Sequence, residues 1–199
     1  GRLDEAEVSL RQAITLKPDL TEAYNNLGNT LKKLGRLDEA EVSLRQAIAL
    51  KPDFAEAYNN LGVILQELDK LDEAEASFRQ AITLKPDYAE AHRYLTLMKR
   101  FDAQDEQYLK MQELYLDKNI SEEQRCHINF GLAKACEDLG NFEQAYTHYG
   151  EGNVLCKKLL NYDINQDVEL FRQIKFTYPQ IEQNSLTPEK LSKNLMPIF

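Results

Sequence analysis

Polar and apolar positions alternate along this chain with the period of a helix, and the pattern itself repeats. Residues 1–34 and 35–68 are identical at 27 of 34 positions. A third copy begins at Asp69 and holds through "LDEAEASFRQAITLKPDYAEAH". Within each copy apolar residues recur at three- and four-residue spacing, as in Leu27, Leu31 and Leu34, which predicts amphipathic helices. Self-similarity at 34 residues predicts a solenoid of helix pairs, because one unit cannot bury its apolar face alone. The fold expected is all-α: a right-handed superhelical solenoid of antiparallel helix pairs closed by C-terminal capping helices. Helices are predicted at 3–16, 21–34, 37–50, 55–68, 71–84 and 89–101. Asp19–Glu22, Asp53–Glu56 and Asp87–Glu90 have capping-box spacing, and Gly35 stands where a helix C-cap is expected.

From Thr96 the pattern decays. "DEQYLKMQELYLDKN" remains amphipathic, with Tyr108, Met111, Leu114 and Tyr115 on one side. Ser121 opens a further helix with Gln124 in capping-box position, and "FGLAKACEDLGNFEQAYTHYGEGN" restores a unit starting near Cys126, three residues out of the strict period. "DVELFRQIKF" reads as one more helix, and "LTPEKLSKNL", with Pro188 in its first turn, as a short one. The expected organisation is a repeat array over 1–101, degenerate repeat-like helices over 102–159, and a capping helix with a linker over 160–199. An open solenoid end needs covering. Residues 184–199 carry few apolar anchors and are expected to be more mobile than the repeats.

These positions resemble the tetratricopeptide repeat family. Counting a unit from Thr21, Tyr24, Leu27, Gly28 and Leu31 match its first helix, Ala40, Leu44 and Ala47 its second, and Pro52 its end. Tyr58, Leu61, Gly62, Leu65, Ala74, Phe78, Ala81 and Pro86 repeat the match. The C-terminal half, with "NYD…FRQIKFTYPQ" and "LMPIF", resembles the region preceding the catalytic domain of tetratricopeptide-linked sulfotransferases. That likeness implies a substrate-recognition module excised from an enzyme that uses 3′-phosphoadenosine 5′-phosphosulfate. No phosphate-binding loop is present in these residues, so this nucleotide is expected not to bind here.

Composition narrows the function. With 43% hydrophobic and 29% charged residues the chain is a soluble, core-forming sequence. The net charge of −9 divides into 14 basic against 18 acidic residues over 1–102 and 10 against 15 beyond. Neither half has the basic stripe that nucleic acid or an anionic membrane selects, and no apolar run is long enough to span a bilayer. The sequence shows no metalloprotease, phosphate-loop or nucleophile-elbow motif. The chain is therefore read as no enzyme, with no cofactor and no metal. His92 takes the bulky position of Tyr24 and Tyr58 and is assigned to the core. Cys126, Cys136 and Cys156 are read as small core residues. Cys126 and Cys136 stand ten apart on one helix, which separates them by about 15 Å and rules out a bond between those two. Unpaired cysteines and the lack of a leader suit a cytoplasmic protein.

The candidate chemistry is an asparagine doublet. Asn25–Asn26 and Asn59–Asn60 lie inside predicted helices, although asparagine is a poor helix-interior residue. In the family this chain resembles, the face carrying Glu22, Asn25, Asn26, Asn29 and Lys33 lines a concave groove. The second unit offers Glu56, Asn59, Asn60, Val63 and Glu67 there, and the third Glu90, Arg93, Tyr94, Leu97 and Phe101. Asn26 and Asn60 match an asparagine ladder that holds peptide backbone in the similar repeats of O-linked N-acetylglucosamine transferase; Tyr94 interrupts it. The expected peptide-binding residues are Asn25, Asn26, Asn29, Lys33, Asn59, Asn60, Val63, Arg93, Tyr94 and Leu97. An amide that donates and accepts at once can hold any extended chain. The amides of Asn26 and Asn60 should then be free of intramolecular partners. The leading reading is a protein-interaction scaffold for an extended polypeptide. The alternatives are the sulfotransferase module and a self-associating module forming a homodimer.

Overall fold

The computed structural model describes residues 1–184, with side chains for all of these except Gln166 and 177–184. The short helix expected around Pro188, the terminal "LMPIF" and most of the tail expected to be mobile lie outside the described residues. The described chain is entirely helical: α1 (Arg2–Leu16), α2 (Thr21–Lys33), α3 (Leu37–Leu50), α4 (Ala55–Glu67), α5 (Leu71–Leu84), α6 (Ala89–Leu95), α7 (Glu106–Leu116), α8 (Glu122–Asp138), α9 (Phe142–Leu159) and α10 (Ile164–Asn184). It divides into a unit spanning Gly1–Leu159 and a second one from Leu160 onward.

In the first unit α2, α4, α6 and α8 stack in one row, and α1, α3 and α5 pack beside them as the partner row. Alanine and glycine make each pair close. Ala40, Leu44 and Ala47 on α3 and Ala74, Phe78 and Ala81 on α5 are fully buried. A Cβ added at Gly28 would lie 2.6 Å from Leu44 Cγ, and one at Gly62 2.6 Å from Phe78 Cε1. Only hydrogen fits at either position. The core of this part joins Leu27, Leu31, Leu44, Leu61, Ile64, Leu65 and Phe78.

Helix ends follow the sequence in some places and depart from it in others. After α2, Gly35 adopts φ 74°, its N–H bonds Lys32 O at 2.9 Å, and Arg36 N–H bonds Leu31 O at 2.9 Å. This is a Schellman closure. The same closure recurs at Asp69 (φ 60°) and Gly140 (φ 76°). The Ser121–Gln124 capping box forms, with bonds of 2.8 and 3.1 Å. The three boxes expected at Asp19, Asp53 and Asp87 do not form. The N-caps are Leu20, Phe54 and Tyr88, none with a side-chain cap. Pro18, Pro52 and Pro86 set a turn whose backbone bonds, such as Tyr88 N–H to Lys85 O at 3.0 Å, place the aspartate one residue too early.

The third pair differs most. α6 ends at Leu95 rather than 101, and Thr96 carries a Cβ where Gly28 and Gly62 have none. Its hydroxyl bonds Arg93 O at 2.6 Å, the kind of local bond that competes with helix propagation. The buried side chains of α7, Tyr108, Met111 and Leu114, join Ile128 and Leu132 of α8 in a second core. A Cβ at Gly131 of α8 would lie 2.7 Å from Met111 Sδ. Phe101 is buried in this core, although the sequence pattern placed it on the groove face. His92, 1% exposed, lies in the interior as expected, its Nε2 hydrogen-bonded with Pro86 O at 2.9 Å.

Charged residues tie the partner row together on its solvent side. Arg36 bonds Glu7 at 2.7 Å and Arg11 bonds Glu39 at 3.0 Å across α1 and α3. One repeat later Lys70 bonds Glu41 at 2.7 Å and Arg45 bonds Glu73 at 2.6 Å. The next rung is lost because Gln107 stands where Glu39 and Glu73 would recur, and Arg79 bonds Glu75 within α5. Exposed pairs of this kind contribute about 0–1 kcal/mol each.

In the second unit α10 carries Val168, Leu170, Phe171, Ile174 and Phe176, all exposed. The Tyr162 hydroxyl, ahead of α10, donates to Asp167 in the first turn of the helix.

Candidate functional site

Asn25 and Asn59, the first member of each doublet, lie on the faces of α2 and α4 that look toward the next helix of the row. Two neighbours in a helix are about 100° apart, so the pair cannot share an environment. Asn25 is 2% exposed and Asn59 is 0% exposed, whereas Asn26 is exposed and Asn60 half-buried.

The buried members stitch successive helices. Asn25 Nδ2 donates to Glu56 Oε1 at 3.4 Å, and Asn59 Nδ2 to Glu90 Oε2 at 3.2 Å. In the next interval Arg93 takes the asparagine's place. Its guanidinium lies 3.5 Å from His127 Nδ1 and 5.0 Å from the Phe130 ring centroid. The sequence separations of the three links are 31, 31 and 34, so the three-residue displacement noted near Cys126 appears here as one skipped step. The glutamates expected to complete capping boxes therefore serve the neighbouring helix. Burial raises the Glu90 carboxyl above its ordinary range against the opposing bond from Asn59, and Glu123 adds to the rise. Asn59 Oδ1 is buried without a partner.

Asn26 and Asn60 part company. No side-chain hydrogen bond forms at Asn26 among the described residues. Asn60 Nδ2 donates to Asn25 Oδ1 at 2.9 Å, so the expectation of two free amides fails at Asn60. The cause is the buried Asn25 carbonyl, an acceptor that needs a donor from α4.

The other expected groove residues scatter in burial. Asn29 is half-buried and Lys33 exposed on α2. Val63 is 7% exposed and belongs to the core of the first repeats. Tyr94 stacks on Phe78 with ring centroids 5.3 Å apart and planes 12° from parallel. Arg93 is half-buried, and Leu97, past the end of α6, is 56% exposed. Asn26, Asn29, Lys33, Asn60, Arg93 and Leu97 thus present accessible atoms, while Asn25, Asn59 and Val63 are enclosed. Sequence reasoning missed Glu56, Glu90 and His127 as partners in these links. The recurrence of glutamate three residues before each asparagine was the available signal.

Family models for tetratricopeptide repeats match residues 1–35, 28–69 and 55–88. Residues 1–88 are tetratricopeptide repeats. Among solved structures, a crystal structure of MamA is 23% identical with a TM-score of 0.57, over 80% of this chain and 92% of that one. MamA from Desulfovibrio magneticus RS-1 is 19% identical with a TM-score of 0.56, over 79% of this chain and 88% of that one. A mutant O-GlcNAc transferase of Thermobaculum terrenum is 26% identical with a TM-score of 0.50, over 58% of this chain and 23% of that one. At these identities the MamA likenesses show the fold alone. No curated protein matches the chain. Among the described residues no helix is long and apolar enough to cross a membrane, and no group of three or more His, Cys, Asp or Glu is placed to hold a metal.

Proposed function

We propose that the chain is a protein-interaction scaffold whose α2–α4–α6 face holds an extended polypeptide through its backbone. The observation that carries this reading is the Asn26 amide, exposed and without a side-chain partner among the described residues, inside a helix that would be more stable with alanine there. Asn60 lies at the equivalent place one repeat on. One of its Nδ2 hydrogens is committed to Asn25, so it offers a peptide its carbonyl oxygen and one remaining N–H. Helices of one row stack about 10 Å apart, which places a rung every three residues of an extended peptide. Lys33 and Arg93 add positive charge and Leu97 an apolar contact along the same direction.

A second reading makes the array the substrate-handling part of a larger transferase. It is favoured by the O-GlcNAc transferase likeness, in which the matched array is 23% of a longer chain. The two readings use the same face and differ in what is joined to it.

Selection of random peptides on the purified chain tests the proposal. Selected peptides should bind saturably, and Asn26→Ala should weaken them roughly two- to tenfold, the loss of one hydrogen bond, with helicity unchanged. Unaltered affinity in Asn26→Ala, or failure to select any peptide, would overturn it.

A further inference from the structure

Cys126 on α8 and Cys156 on α9 are thirty residues apart in sequence and meet in space. Cys126 Sγ lies 3.6 Å from the Gly152 carbonyl oxygen. Within α9 that carbonyl is the acceptor for the N–H four residues on, which belongs to Cys156. Helical side chains lean toward the N-terminus and cover the preceding turn, so the Cys156 side chain lies over the spot that Cys126 occupies. Both sit at the open end of the α8–α9 pair, away from the turn at Leu139–Asn141. Cys136 is at the closed end, its Sγ 3.8 Å from Gln144 Oε1. All three thiols are free; Cys126 and Cys136 are buried and Cys156 is partly exposed.

We propose that Cys126 and Cys156 form a reversible disulfide that staples the open end of α8 to α9. The oxidant is a low-molecular-weight disulfide, RSSR. The partly exposed Cys156 thiolate attacks one of its sulfurs and expels RS⁻. Cys126 then loses its proton to solvent, attacks the Cys156 sulfur of the mixed disulfide and expels the second RS⁻. Two protein thiols are oxidised and one RSSR is reduced to two RSH. Burial, and then the adjacent Cys156 thiol, push the Cys126 thiol up to about 12, so closure is slow and quickens as pH rises. The staple matters because α8 ends the row that carries the candidate groove. Its His127 and Phe130 meet Arg93 of α6, and terminal repeats of such arrays fray first.

The test treats the reduced full chain with oxidised glutathione. The expected product is monomeric, lighter by two hydrogens, joined between Cys126 and Cys156 in a peptide digest, and restored by dithiothreitol. Amide exchange in α9 should slow roughly ten- to a hundredfold on closure. Cys136→Ser should behave as the parent, and Cys126→Ser should stop at a glutathione adduct on Cys156. Cys156→Ser should yield no internal cross-link, and being partly exposed it leaves the fold in place. A stable adduct on Cys156 in the parent chain, pairing through Cys136, a cross-linked dimer, or thiols that survive the oxidant would each overturn the proposal.

Discussion

The buried member of one doublet, Asn59, and the exposed member of the other, Asn26, should respond unequally to the same nearly isosteric change. Asn59→Asp replaces a donor 3.2 Å from Glu90 Oε2 by an oxygen. Two carboxylates at that separation repel by about 5 kcal/mol at an effective dielectric of 20. The protein has a less costly course, which is to keep one proton on the pair. Holding a carboxyl of ordinary pKa near 4.3 protonated at pH 7 costs about 3.7 kcal/mol, and this bounds the loss from above. The folded pair then binds one proton more than the unfolded chain, so its stability falls as pH rises through neutrality and recovers by about 1.4 kcal/mol per unit on acidification toward pH 4–5. Asn26→Asp, on an exposed site, should alter stability by no more than about 0.5 kcal/mol at either pH. Urea denaturation followed by far-UV circular dichroism at pH 7 and pH 5 measures both. Equal costs for the two variants, or a cost of Asn59→Asp that does not shrink with acid, would refute the assignment of Asn59 to the seam.

Gly62→Ala should destabilise by about 1–3 kcal/mol despite alanine's better helix propensity, because its Cβ would meet the buried Phe78 ring; thermal melting checks this. Asp69→Gly should stabilise by up to about 1 kcal/mol, since Asp69 holds φ 60° at a closure where Gly35 stands one repeat earlier; a lower melting point would contradict it. Burial lowers the pKa of His92, His127 and His148. Their unfolded forms therefore bind protons first, and the stability of the α6–α9 region should be full above about pH 6.5 and fall as pH drops below it. Hydrogen exchange of α8 amides at pH 5 and 7, corrected for intrinsic rates, should show it, and equal protection would rule it out.

How much of this could be read from the sequence differs between elements. The 34-residue period and the small residues at Gly28, Ala40 and Ala47 were sufficient for the helix pairs, their boundaries through α5, and the closure at Gly35. Periodicity and the size of side chains act within one or two turns, where sequence spacing is spatial spacing. The shortened α6 was less legible, because Thr96 in place of glycine signals a departure without saying where the chain goes. The capping boxes failed on a single-residue offset that the Lys-Pro-Asp turn imposes.

By itself the sequence determined the architecture: repeating helix pairs, their register, and the position where the repeat slips by three. Tertiary structure decided which asparagine of each doublet is buried. The angle at which α4 crosses α2, and α6 crosses α4, selects one of two faces only about 100° apart. It decided that Asn60 spends one N–H on Asn25, that Glu90 faces an amide instead of capping its own helix, and that Cys126 meets Cys156. Each of these is a contact between residues about thirty positions apart, and its geometry depends on how closely two helices pack, a distance set by all the side chains between them.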